Sequence, residues 1–205
     1  SEQFILTAGH NLVNENGRAH RVEIIYGIDH PLQTRSGVDA VVHGSYYLEG
    51  RLINDIAIIR LNKSFIGVTP LQFRQTPITG NGAATVYGYP KDTPRFRPNG
   101  KLCVSGPSRM EYNPSLREGF IGHHSNTERG SSGGPIVDSS NTVIGVHTQG
   151  LSTINLGVPI NRRGNDPKPL LRMLDYMGSH DARVPPVTII GPVGNVGYEG
   201  VLFTW

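Results

Sequence analysis

Cysteine is all but missing from these 205 residues: Cys103 is the only one. An intrachain disulfide is therefore excluded, and a hydrophobic core must hold the fold. No motif surrounds Cys103, so it reads as a structural thiol. Charge is also scarce, at 17% of residues against 37% hydrophobic, which excludes a disordered chain and a coiled coil. Nineteen Lys and Arg against 16 Asp and Glu leave a net charge of +3. The basic residues are scattered, so no nucleic-acid partner is expected, although a mildly basic surface weakly attracts acidic substrates. No apolar run approaches the length of a membrane span, and the opening residues carry no signal-peptide pattern. No membrane partner is expected.

Glycine and proline are plentiful instead: 26 and 15, one residue in five. Without a repeat period, that suits many short strands joined by tight turns. Phe4–Thr7, Arg21–Tyr26, Ile56–Leu61, Ala84–Tyr89, Pro135–Val137 and Val143–His147 are rich in β-branched and aromatic residues and read as strands. Asn16-Gly17, Asn81-Gly82 and Asn99-Gly100 read as turns, because both residue types accept positive φ at low cost. Only Pro167–Met177 reads clearly as helix, with Leu170, Leu171, Leu174 and Met177 at three- and four-residue spacing and Gly178 after it. A short helix is also expected after His10. An all-β fold with one late helix follows, dividing near residues 74–82.

Three segments carry chemistry. In Gly130-Ser131-Ser132-Gly133-Gly134-Pro135, glycines let the backbone fold around a serine so that successive N–H groups converge on one point. Leu6-Thr7-Ala8-Gly9-His10 ends a strand on a histidine, and Asn54-Asp55-Ile56-Ala57 opens one on a carboxylate. Amide hydrolysis needs a hydroxyl nucleophile, a base to activate it, a group to orient that base, and donors for the oxyanion. Each segment alone has a structural reading: a flexible loop, a turn histidine, a strand cap.

Together, in the order His10, Asp55, Ser132, they resemble the trypsin-like (chymotrypsin-like) serine proteases from about residue 3 to residue 177. The separations of 45 and 77 residues are similar to those of compact bacterial members. The resemblance implies two six-stranded Greek-key β-barrels and a serine endopeptidase working on protein or peptide substrates, without cofactor or metal, and secreted. It makes Ser132 the nucleophile, His10 the general base, Asp55 its orienting carboxylate, and the N–H groups of Gly130 and Ser132 the oxyanion hole. Thr148 falls where the family has a serine that bonds the aspartate, and Thr148-Gln149-Gly150 where a strand pairs with substrate backbone. Ser131 replaces the family's usual aspartate before the nucleophile, so the zymogen switch that uses that aspartate has no counterpart. Two other readings stay open: a viral-type polyprotein-processing protease, and a catalytically silent binding module.

Asn126 stands where trypsin places the aspartate that selects Arg or Lys, so that preference is discarded. Thr127 and His147 are similar to the threonine or serine and the histidine with which bacterial glutamyl endopeptidases hold a substrate carboxylate. An imidazole and a hydroxyl supply donors without a fixed full charge. Arg129 adds a cation at the rim. A structural histidine bonded to backbone is the alternative for His147. His123 and His124 are adjacent, so on a strand they face opposite ways and do not share a metal ion.

The ends of the chain suggest an unusual connectivity. Val187–Ile190 and Tyr198–Trp205 read as strands around a Gly191–Asn195 turn. Writing Trp205 before Ser1 produces Gly-Val-Leu-Phe-Thr-Trp-Ser-Glu-Gln-Phe-Ile-Leu-Thr-Ala-Gly-His, which resembles the family's approach to its histidine. The expected organisation is a first barrel at 1–75, a second barrel and helix at 76–178, a linker at 179–186, and a hairpin at 187–205 that completes the first barrel by circular permutation.

Overall fold

The computed structural model describes residues 3–15, 17–26, 33–90, 102–113, 117–180 and 200–204. The expected Asn99-Gly100 turn, the linker beyond His180 and the strand at 187–190 lie outside them.

The first unit contains β1 (Phe4–Thr7), the short pair β2 (Val13–Asn14) and β3 (Gly17–Arg18), β4 (Arg21–Tyr26), β5 (Gln33–Val42), the helix α1 (Gly44–Glu49) and β6 (Ala57–Leu61). The late strand β14 (Gly200–Thr204) joins its main sheet, whose order is β1-β6-β5-β4-β14. β14 runs antiparallel to β4, with Val201 opposite Ile24 and Phe203 opposite Val22. Alternation along β4 buries Val22 and Ile24 with Leu12, Ile59, Leu61 and Phe65, the inward set of a half-buried strand. The ten-residue β5 was not expected as a strand, because Gln33-Thr34-Arg35-Ser36 is polar. Arg35 is buried nevertheless: it donates to the carbonyls of Ser64 (2.8 Å) and Thr34 (2.9 Å) and stacks 4.9 Å from the centre of the Phe65 ring. Gly37 lets β5 pass between its neighbours. A Cβ there would lie 2.8 Å from Val22 Cβ and 2.9 Å from Ile59 Cγ2.

The second unit contains β7 (Gly82–Gly88), β8 (Cys103–Val104), β9 (Ser108–Tyr112), β10 (Ile121–His123), β11 (Pro135–Asp138), β12 (Val143–Gly150) and β13 (Asn155–Pro159). Its order is β11-β12-β13-β10-β9-β7, and β7 pairs back onto β11. Six strands thus close a barrel, with β8 appended to β7. Closure gives each of those six a neighbour on both sides, except along the end of β12 beyond His147. Ile78, Val86, Met110, Tyr112, Ile121, Ile136 and Ile144 form one buried cluster here.

The expectation of two six-stranded barrels is therefore met by the second unit. The first is a five-stranded sheet among the described residues, with β1 and β14 at its edges. A closed barrel needs each strand paired on both sides, and neither edge strand has a second described partner.

The helix α2 (Pro167–His180) packs across both units. Leu170 and Leu174 join one cluster with Val41, Ile56 and Ile58 of the first unit and Phe120, Val146, Leu156 and Val158 of the second. The helix runs through Gly178, where the sequence suggested a stop, because glycine costs a helix only about 1 kcal/mol.

Candidate active site

Strand β1 ends at Thr7, and a single 3₁₀ turn over Gly9–Asn11 turns His10 toward the Asp55 loop. The backbone N–H of His10 donates to Asp55 Oδ1 at 2.7 Å, and its Nδ1 lies 2.6 Å from Asp55 Oδ2. Asp55 is 2% exposed, so both carboxylate oxygens are committed to one residue in a largely dry setting. An ionised carboxylate only accepts hydrogen bonds, so Nδ1 carries the hydrogen and Nε2 is left as the basic nitrogen. Gly9 permits this approach: a Cβ there would meet Tyr46 Cδ1 at 2.9 Å and Asp55 Oδ1 at 3.1 Å.

Ser132 lies in the turn between β10 and β11. Asn11, next to His10, reaches it: Asn11 Nδ2 donates to the Ser132 carbonyl at 3.0 Å and to Thr7 Oγ1 at 3.1 Å. Gly133 N–H donates to the His147 carbonyl (2.8 Å), and His147 N–H to the Gly134 carbonyl (2.9 Å), so β12 holds the turn from behind. Gly130 and Gly133 take φ of 96° and 89°, a region that favours glycine. The N–H groups of Gly130 and Ser132 have no acceptor among the described residues, as donors awaiting an oxyanion require. Ser131, in the place of the family's aspartate, is buried and serves the turn locally, its N–H donating to the Glu128 carbonyl at 3.0 Å.

The role carried over for Thr148 needs correction. Its hydroxyl donates to the Leu156 carbonyl at 3.4 Å, not to Asp55. The β12–β13 register shifts between His147 and Gln149, and that bulge re-aims the side chain. The Thr148 carbonyl instead lies 3.5 Å from Ser132 Oγ. Beyond His147, β12 has β13 on one side only, leaving Thr148, Gln149 and Gly150 as an open backbone edge among the described strands.

Of the expected pocket residues, Thr127 is half-buried, whereas Asn126 and Arg129 are exposed. His147 is 3% exposed, and its Nδ1 lies 3.1 Å from Nε2 of His123, itself fully buried. The rings meet edge to face at 5.1 Å. Burial pushes His147 down to about 4; the His10 charge adds to this, and a hydrogen bond to the Leu156 backbone opposes it. Burial, then His147 and His124, push His123 down to about 3. Both rings are neutral at neutral pH. His124 faces outward, 3.6 Å from Glu111, so the two adjacent histidines do point apart.

Two contributors escaped the sequence reading. One is the inward-facing His123. The other is a buried amide pair that ties the Asp55 loop to the second unit. Asn54 Nδ2 donates to Asn165 Oδ1 (2.9 Å) and to the Arg163 carbonyl (2.7 Å), and Asn165 Nδ2 to the Ile53 carbonyl (2.8 Å). Strand alternation was a signal for His123; nothing in the sequence marks Asn165.

The chain matches the trypsin-like peptidase domain over residues 1–146, a span that holds His10, Asp55 and Ser132. It belongs to the trypsin-like peptidase family. No curated protein is significantly similar to it in sequence. Among solved structures, a mutant of human heparin binding protein (CAP37) is 14% identical, covering 90% of this chain and 86% of that one, at a TM-score of 0.62. A Glu endopeptidase is 19% identical, with 88% and 83% covered and a TM-score of 0.60. A thermostable serine protease, AL20, from an extremophilic microorganism is 22% identical, with 77% and 79% covered and a TM-score of 0.58. These structures share the chymotrypsin-like fold with this chain.

Proposed function

We propose that this serine protease is an endopeptidase that cuts after Glu, and secondarily after Asp, through an acyl-enzyme on Ser132. The observation that carries the hydrolytic part is the half-buried His10 bonded to the buried Asp55 and joined to the nucleophile turn through Asn11. Ser132 Oγ attacks the scissile carbonyl carbon while His10 Nε2 takes its proton, and Asp55 stabilises the imidazolium. The carbonyl oxygen becomes an oxyanion held by the N–H groups of Gly130 and Ser132. Collapse breaks the C–N bond, and the leaving amine takes the proton from His10. Water then repeats the sequence in reverse to free the acid and Ser132. The open edge at Thr148–Gly150 is suited to extended substrate backbone.

The acidic preference is supported by Thr127 and by a neutral His147 on β12, the strand that flanks Ser132. Discarding the Arg/Lys preference rests on Asn126. One structurally similar protein is itself a Glu endopeptidase. Burial favours a neutral imidazole that donates one hydrogen bond, which suits a carboxylate better than an apolar pocket would. The test is a matched pair of peptides with Glu or Gln before the scissile bond. Glu is expected to be cut at least about tenfold faster in kcat/KM, and His147→Ala to remove most of that ratio. Equal rates on the two peptides with the unmodified enzyme would sink the acidic reading.

A further inference from the structure

The interior of the closed barrel holds a group that the hydrolytic mechanism does not use. His123, on β10, is fully buried. Its Nε2 faces His147 Nδ1 at 3.1 Å, and its Nδ1 is buried with no hydrogen-bond partner among the described residues. Two neutral imidazoles in this contact share one hydrogen, which leaves two arrangements. In one, His147 Nδ1–H donates to His123. The His123 hydrogen must then sit on Nδ1, a buried donor without an acceptor, and His147 Nε2 presents a bare lone pair. In the other, His123 Nε2–H donates to His147. Only a lone pair on His123 Nδ1 is then left unpaired, and the His147 hydrogen must sit on Nε2. Orphaned buried N–H groups are rarer than under-used acceptors, so the second arrangement is favoured.

We infer that His123 is a positioning residue that fixes the tautomer of His147 by donating Nε2–H to its Nδ1, so that His147 offers Nε2–H to an acidic substrate side chain. The consequence for substrate rests on the proposed acidic specificity; the tautomer assignment does not. Burial supports the scheme, since it keeps both rings neutral near pH 7, with His123 pushed down to about 3 and His147 to about 4. A charged pair would donate from all four nitrogens and set no direction. The surrounding titratable groups are His10 on the nucleophile side and the outward-facing His124 just past the end of β10, with the Leu156 backbone as the remaining polar contact of His147.

The test is nitrogen NMR of the histidine rings in the full chain near pH 7, alongside kinetics on the Glu and Gln peptides. His147 should show a pyridine-type Nδ1 and a pyrrole-type Nε2. In His123→Leu, with folding verified by circular dichroism, His147 should lose that single-tautomer signature. The Glu-over-Gln ratio should fall roughly tenfold, mainly through KM, while kcat on the Gln peptide stays put. His123→Gln, whose amide N–H also donates, should restore both signals, and serves if the leucine variant does not fold. A pyrrole-type Nδ1 on His147 in the unmodified protein would overturn the inference. So would a folded leucine variant with unchanged ring shifts. Equal rates on Glu and Gln peptides would remove the specificity reading alone, and the nitrogen shifts would still decide the tautomer.

Discussion

The two halves of this protease are not built alike. The second unit closes six strands into a barrel and carries Ser132, Thr127 and His147 in or beside its strands. The first, among the described residues, is a five-stranded sheet that does not close, and it carries His10 and Asp55. A closed barrel pairs its strands all the way round, so its interior packing is defended on every side even though the end of β12 runs past its neighbour. An open sheet relies on whatever covers its edges. The reaction needs atoms from both halves in register. That register passes through Asn11 to Ser132, through the Asn54–Asn165 pair, and through the shared cluster under α2. The proposed base and its carboxylate thus sit in the half that is less enclosed among the described residues and are steadied by contacts from the more enclosed one.

The largest expected effect tests the chemistry of the first half. Asp55→Asn leaves the shape intact but returns His10 to the wrong tautomer, and kcat for a peptide substrate should fall by about 10⁴. A loss below about tenfold would mean that the 2.6 Å contact is structural.

Next comes the sheet edge. Deleting residues 187–205 removes β14 from β4 and tests the permuted-hairpin expectation. Amides of β4 should exchange faster than those of β12 and β13, and kcat/KM should fall roughly 10- to 100-fold as His10 is misplaced. A fully active truncated enzyme with unchanged exchange in β4 would break the contrast between the halves.

The smallest effect belongs to the closed barrel and to pH. Folded His123 and His147 stay neutral down to about pH 3 and 4, whereas unfolded histidines bind protons near pH 6.5. Between those values the unfolded chain holds more protons. Stability is therefore fully present above about pH 7 and is lost as pH falls toward 4, by at most about 1.4 kcal/mol per pH unit for each ring. Urea unfolding across pH 4.5–7.5 should display this slope, and His123→Leu should flatten it. Parallel slopes in the two proteins would show that the ring pair is not the source.

Much of the proposed site was legible before any fold was known. His10, Asp55 and Ser132 sit in short segments whose residue types are dictated by local need: a strand end, a strand start, and a glycine turn with converging N–H groups. The strands over Phe4–Thr7 and Arg21–Tyr26 announced themselves because β-branched and aromatic side chains pack well on a half-buried pleated surface. The first residues of β5 did not, since Arg35 is buried only by partners brought from Ser64 and Phe65. Thr148 was misread because a bulge, invisible in the sequence, turned its hydroxyl to Leu156.

What the sequence determined by itself was local: the residue types of the proposed triad, the glycine turn around Ser132, and the absence of a carboxylate at Asn126. Tertiary structure alone decided the long-range pairings. It set which barrel closes, seated β14 beside β4, joined Asn54 to a residue 111 positions away, and brought His123 behind His147. The physical reason is that backbone propensity and turn chemistry act over a few residues, whereas burial, closure and the partner of a buried ring nitrogen depend on segments that meet only when the core forms.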